Sequence, residues 1–166
     1  GQLQSIALAV LGFLYIGWMC GHVAFLANAK HAYGYLLYLL LAVELNDVAA
    51  FTFGRLFGRH PLRSNISPKK TWEGSAGSLA ASVGVGVAMC VWVLHAPWYV
   101  GVVLGVVMVA FGTVGDLIES TIKRDVGIKD MSSILPGHGG IMDRLDSMLV
   151  AAPAAWLVLF LMVPGG

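Results

Sequence analysis

Charge is scarce in this sequence, and long stretches have none. Ten Lys and Arg and nine Asp and Glu make up 11% of the 166 residues, against about 25% in a typical soluble domain. No Asp, Glu, Lys or Arg occurs in 1–29, 74–115 or 147–166. Runs of that length exclude an ordinary solvated surface, whereas a bilayer span asks for roughly 20 mainly apolar residues. The net charge of +1 excludes the strongly basic balance of a nucleic-acid binder or a polybasic membrane tail, so no nucleic acid is expected as a partner. Cysteine is limited to Cys20 and Cys90, both in apolar runs without CxxC spacing. They read as small buried residues, with no disulfide framework or thiolate metal site implied. The opening apolar stretch has no basic n-region and no cleavage site, so no signal peptide is expected. A chain that opens on Gly1 is expected to be a fragment or a processed form. No internal repeat or low-complexity tract is present.

What is abundant is apolar: 58% hydrophobic residues and 21 Gly, the latter commoner in membrane helices than in soluble ones. Candidate spans run over about 4–29, 32–57, 71–94, 98–123 and 142–163. The second is unusual, because Glu44, Asn46 and Asp47 lie inside it, and ionisable groups at that depth normally face a bundle interior or polar cavity. The third has Gly74, Gly77, Ser78, Ser82, Gly84 and Gly86 for close helix contact, within the chain or between two copies. His95-Ala96-Pro97 marks a tight turn, with Pro97 in the first turn of the next helix. Pro153 lies inside the last span and is expected to kink it. The segment 58–70 reads as a basic loop and 125–140 as a glycine-punctuated one. Two spans separate these loops, so both lie on one membrane face, which the positive-inside rule makes cytoplasmic. The expected fold is therefore all-α: a polytopic membrane bundle of about five transmembrane helices with a cytoplasm-facing polar site.

Three acidic groups stand out. Glu44 and Asp47 are three apart and share a helix face; their plainer reading is a helix–helix hydrogen bond or an ion pair with Arg55 or Arg124. Asp116, Glu119, Ser120 and Lys123 form a stripe at i,i+3 and i,i+4 spacing, in which Glu119–Lys123 suits an ordinary helix salt bridge. Asp143 and Asp146 open the last helix, where a carboxylate also serves as a cap. Pro136-Gly137-His138-Gly139-Gly140 leads into that helix, and closely spaced glycines let backbone N–H groups approach phosphate oxygens. Lys69-Lys70 after Ser67-Pro68, and Lys123-Arg124, supply cations that would otherwise mark topology or touch anionic lipid. Carboxylates and cations returning to one face meet the needs of a nucleoside triphosphate bound with Mg²⁺.

The residues 120–130, Ser-Thr-Ile-Lys-Arg-Asp-Val-Gly-Ile-Lys-Asp, and 135–147, Leu-Pro-Gly-His-Gly-Gly-Ile-Met-Asp-Arg-Leu-Asp-Ser, resemble the signature of the phosphatidate cytidylyltransferases, the CDP-diacylglycerol synthases. Asn46-Asp47, Phe57-Gly58-Arg59, the run 67–74 (Ser-Pro-Lys-Lys-Thr-Trp-Glu-Gly) and the run 115–120 (Gly-Asp-Leu-Ile-Glu-Ser) look like further motifs of that family. Family members are usually longer, with additional N-terminal membrane helices. This chain has Ala49-Ala50-Phe51 where many have an Ala-Tyr pair, and Ser78 where a further glycine is common.

The resemblance implies cytidylyl transfer from CTP to phosphatidic acid, giving CDP-diacylglycerol and pyrophosphate, in a bacterial inner membrane and in a homodimer. Residues 1–166 would be one transmembrane catalytic domain without the N-terminal helices of longer relatives. It implies Mg²⁺, with a second cation beside it as a further option, held by Asp116, Asp143, Asp146 and Glu119. Lys123, Arg124, Asp143, Asp116 and His138 would act in the chemistry. Lys69, Lys70, Lys129, Arg144, Gly139, Gly140 and Ser67 would bind substrate phosphates. Asn46, Asp47 and Asp130 would support the polar site. His22, His31, His60 and His95 lack ligand spacing and are expected only to pack or mark topology. Two other readings fit the residues: transfer of CMP to another lipid phosphate, and a solute or ion transporter built on Glu44 and Asp47. A truncated assembly subunit is a third.

Overall fold

The structure is a computed structural model that describes residues 1–63, 67–128 and 142–163, with the side chains of 61–63, 67–70 and 142–144 outside that description. Helix α1 is Gln2–Ala27, α2 is Ala32–Phe57, α3 is Trp72–Trp92 and α4 is Trp98–Val126. Helix α5 is Met142–Met162. All five are long and apolar enough to cross a membrane, and within two or three residues they occupy the expected spans. Inside a bilayer a helix satisfies its own backbone groups, which makes it the natural spanning element. Large apolar side chains from Leu3 on α1 to Leu161 on α5 are exposed on the outside of the bundle. Among the described residues this is an all-α integral membrane bundle, with one small hairpin at its polar end.

That hairpin corrects the expected loop at 58–70. Strands β1 (Pro61–Arg63) and β2 (Ser67–Thr71) pair antiparallel, with Pro61 opposite Thr71 and Arg63 opposite Ser67. Pro61 is read as a loop signal, but it is the first residue of an edge strand, where a missing N–H is tolerated. Thr71 ends β2 and caps α3, its hydroxyl accepting the Gly74 N–H at 3.1 Å.

Helices α2, α3, α4 and α5 pack in sequence, α3 against α2 and α4, and α5 against α4. Helix α1 lies outside them, against α5 and α2. The shared core includes Tyr38 and Leu39 of α2, Cys90 of α3, Leu104 of α4 and Ala151 and Ala155 of α5, all fully buried. Several small residues of α3 are used within the chain, whereas Gly84 is exposed with open space around it. A side chain at Gly77 would collide with Phe53 of α2, and one at Gly86 with the backbone at Gly101 of α4. Pro97 stands at the N-cap of α4, one position before its expected place. Helix α5 continues through Pro153.

Candidate active site at the polar end of the bundle

Residues of the two charged stretches meet where Asp47 and Asp116 line one cavity. This cavity of about 300 Å³ lies between α2, α3 and α4 and is lined by Asn46, Asp47, Thr71, Ser75, Ser78, Thr113 and Asp116, with Ala50, Phe51, Gly74 and Gly112. This volume is at the small end of the range for ligand sites. The lining follows helix periodicity: Thr71, Ser75 and Ser78 recur at i, i+4 and i+7, and Asn46, Asp47 and Ala50 come from one turn of α2. Asn46 is buried and accepts a 3.4 Å hydrogen bond from the Ser82 hydroxyl. Asp47 is exposed at the cavity. Of the hydroxyl residues lining the cavity, only Ser78 stands among the small residues marked by the sequence for close helix contact.

Glu44 is three residues from Asp47 on the same helix. It is exposed and does not line the cavity, whereas Asp47 does. Spacing of three residues places two side chains about 60° apart around a helix, enough for the wall of a neighbour to separate them.

A denser cluster lies between α4 and α5. Glu119 is 1% exposed, and its Oε2 accepts a 2.8 Å salt bridge from the Lys123 ammonium, the expected i,i+4 pair. Asp146 is also buried, and its Oδ1 accepts the Ser147 N–H at 2.6 Å. These helices come close because residue 115 is glycine: a Cβ there would lie 2.8 Å from the Asp146 carbonyl oxygen and 3.0 Å from Ser147 Cα. The Glu119 and Asp146 carboxyl groups act on one another electrostatically across this contact, and Asp116 adds its charge to Asp146. Glu119 Oε1 is buried with no hydrogen-bond donor. An unpartnered hard oxygen among carboxylates is the donor type that Mg²⁺ takes. Among the described residues, however, no three His, Cys, Asp or Glu side chains are gathered closely enough to hold a metal by themselves.

The remaining expected site residues divide by location. Arg124 is exposed near the end of α4. Ser67, Lys69 and Lys70 lie on β2, and Asp143 and Arg144 in the first turn of α5, with their side chains outside the described set. Lys129, Asp130, His138, Gly139 and Gly140 lie outside the described residues. His60, expected only to pack or mark topology, makes a specific contact instead. Its Nδ1 pairs with Glu73 Oε1 at 2.7 Å, and Glu73 Oε2 accepts the Arg59 and His60 N–H groups at 3.1 and 3.3 Å. The carboxylate of α3's first turn thereby ties down the chain leaving α2, next to the hairpin that bears the two lysines. No short-range spacing rule joins residues thirteen apart. His22 does pack, between Trp18, Phe25 and Trp156.

Fold and site together define a helical protein built to cross a membrane, with a small polar cavity between three of its helices and a buried Glu119–Lys123 pair beside Asp146. Residues 1–162 match the family model described as Cytidylyltransferase family, and the chain belongs to that family. It is 41% identical over 160 residues to the phosphatidate cytidylyltransferase of Mycobacterium bovis, covering 96% of this chain and 52% of that protein. The phosphatidate cytidylyltransferase of Mycobacterium leprae is 41% identical over 96% of this chain and 51% of its own length. That of Staphylococcus haemolyticus is 39% identical over 96% and 58% respectively. The chain thus spans about half the length of the curated relatives it matches.

Proposed function

We propose that this chain is the catalytic domain of a CTP-dependent phosphatidate cytidylyltransferase. The observation that carries the reading is the buried cluster of Glu119, Asp146 and Lys123, joined by Asp116 at a membrane-embedded end. Its relatives' names support phosphatidic acid as acceptor. A phosphate oxygen of phosphatidic acid attacks the α-phosphorus of CTP, forming one P–O bond as the bond to the β-phosphate breaks and pyrophosphate leaves. A phosphate monoester is already anionic near neutral pH, so no strong general base is required. The barrier is dominated by repulsion between two anions and by charge on the leaving group.

Asp116, Glu119, Asp146 and, by sequence, Asp143 would hold Mg²⁺, which when bound screens the triphosphate and stabilises the leaving pyrophosphate. Lys123 reaches the same cluster and neutralises part of its charge. Arg124, Lys69, Lys70, Lys129 and Arg144 are assigned to substrate phosphates, His138 to the leaving group, and Gly139 and Gly140 to backbone contact with phosphate. Asn46, Asp47 and Asp130 support the polar site. The cavity beside Asp47 and Asp116 gives a water-soluble nucleotide a polar entry, while the surrounding bilayer keeps diacyl chains out of water. The site faces the cytoplasm of a bacterial inner membrane, and the protein works as a homodimer.

A labelled-CTP assay in detergent or lipid, with Mg²⁺, tests the reaction. Phosphatidic acid is expected to be labelled in preference to isoprenoid or ether-lipid phosphates, and absence of labelled lipid with every acceptor would refute the reading. Orientation is tested after replacing Cys20 and Cys90. Ser64→Cys and Ser132→Cys should react from the cytoplasmic side and Ala96→Cys from the other. Labelling of positions 64 and 132 from opposite sides would break the single-site arrangement.

A further inference from the structure

The chain leaving α2 is held to the first turn of α3 by contacts that neither core packing nor helix capping accounts for. Glu73 Oε1 pairs with His60 Nδ1 at 2.7 Å, and Glu73 Oε2 accepts the N–H groups of both Arg59 and His60. An ionised carboxylate only accepts, so the ring nitrogen facing it carries the proton. The His60 carbonyl oxygen accepts the Trp72 N–H at 3.0 Å, one of the groups that a helix start leaves without an internal partner. Residues 59 and 60 are thus tied to 72 and 73 through side chain and backbone together. Immediately beyond them, β1 pairs with β2. The other side of the joint is closely fitted as well. A Cβ at Gly58 would lie 2.9 Å from the Thr71 hydroxyl oxygen, and one at Gly74 would lie 2.7 Å from the Ala50 carbonyl oxygen. The His60 side chain is exposed, and a surface ion pair adds little to global stability. What this one supplies is geometry, because it fixes where the hairpin leaves the bundle.

We propose that Glu73 and His60 are positioning residues for the β1–β2 hairpin: their contact locks its base to α3 and so sets the placement of Ser67, Lys69 and Lys70 toward the substrate phosphates. The assignment rests on the reading above that these residues bind phosphate. Lys69 and Lys70 precede Glu73 by four and three residues, so freedom at the joint passes directly to them. A lysine serves a phosphate as a point charge, and its attraction falls with distance.

Three variants separate the clamp from the fold. His60→Phe keeps a ring and removes the donor, His60→Asn keeps a nitrogen donor at the Nδ1 position, and Glu73→Ala removes both acceptors. Each is purified in detergent beside the unaltered protein. Trypsin cleavage after Lys69 and Lys70 is timed against cleavage after Lys30, in the turn at the other end of α2. His60→Phe is expected to speed cleavage at the hairpin about fivefold, because protease attack follows the population of the open form. Glu73→Ala should speed it more, and His60→Asn by less than about twofold. Cleavage after Lys30 and thermal unfolding should stay as in the unaltered protein. In the transfer assay, His60→Phe should raise the same substrate KM that Lys69→Gln with Lys70→Gln raises, and should add nothing when combined with them. Equal cleavage of His60→Phe and the unaltered protein would overturn the proposal. So would equal acceleration after Lys30, a KM unmoved by replacing both lysines, or effects that multiply in the combined variant. Failure to form any CDP-lipid refutes the proposed reaction instead, and leaves the cleavage comparison to decide the role of the Glu73–His60 contact.

Discussion

Where α2 begins and α3 ends, Tyr35, Tyr38, Leu94 and Val100 are buried together. Where α2 ends and α3 begins, the contacts are Asn46 with Ser82, Thr71 with Gly74 and Glu73 with His60, and the adjoining α4–α5 contact adds Glu119 with Lys123. The same helices run through both ends. In a bilayer, apolar side chains gain little by leaving lipid for protein, so the first end depends on shape and close approach. At the second end each polar group must find a partner within the protein, because lipid offers none. The difference teaches why a charged site is tolerated here: the apolar end holds the helices together without the groups that chemistry needs.

Substitutions should separate the two ends. The largest effect is expected from Asp116→Asn, which keeps the size of the side chain and removes its charge. It should reduce product formation at least about a hundredfold and alter the Mg²⁺ response, while thermal unfolding stays near that of the unaltered protein. Asp143→Asn should behave alike, and near-normal activity with an unchanged Mg²⁺ response would move the metal role to the remaining carboxylates. Lys123→Met tests pairing: it leaves Glu119 buried without its cation and should cost roughly 2 kcal/mol of stability, below the usual loss for a fully enclosed pair because Lys123 retains some solvent access. Adding Glu119→Gln should recover part of that loss, and strict additivity would argue against coupling.

At the apolar end, Leu104→Ala should cost about 1.5 kcal/mol, less than in a soluble core because the water-transfer contribution is missing and only packing is lost. Activity per folded molecule should be unchanged, and a large fall in rate would show that the two ends are not separable. The smallest effect is expected for Ser82→Ala. Its 3.4 Å hydrogen bond to Asn46 is long, so unfolding should shift by less than about 1 kcal/mol. A greater loss of activity would give Asn46 orientation a part in the reaction.

Much of the architecture was legible because length and hydropathy are properties of a single strand of sequence. The spans at 32–57 and 98–123 and the turn at His95–Pro97 needed no knowledge of their neighbours. The Glu119–Lys123 pair was legible too, since i,i+4 contact is set within one helix. Family membership came through the motifs at 46–47, 57–59, 67–74 and 115–147, which the match over residues 1–162 supports. The hairpin at 61–71 was missed because the polar, proline-containing segment gives no alternation strong enough to distinguish strand from loop.

Other facts depended on how each helix is rotated and placed against the rest. Glu44 and Asp47 share a helix face by spacing, yet only Asp47 lines the cavity. Glu73 and His60 meet because the hairpin folds the chain back onto α3. Sequence alone determined which segments enter the membrane and which carry charge, because burial in lipid depends on the composition of each segment. The tertiary structure decided which charges meet, because a pair across two helices exists only for one combination of rotation, depth and separation.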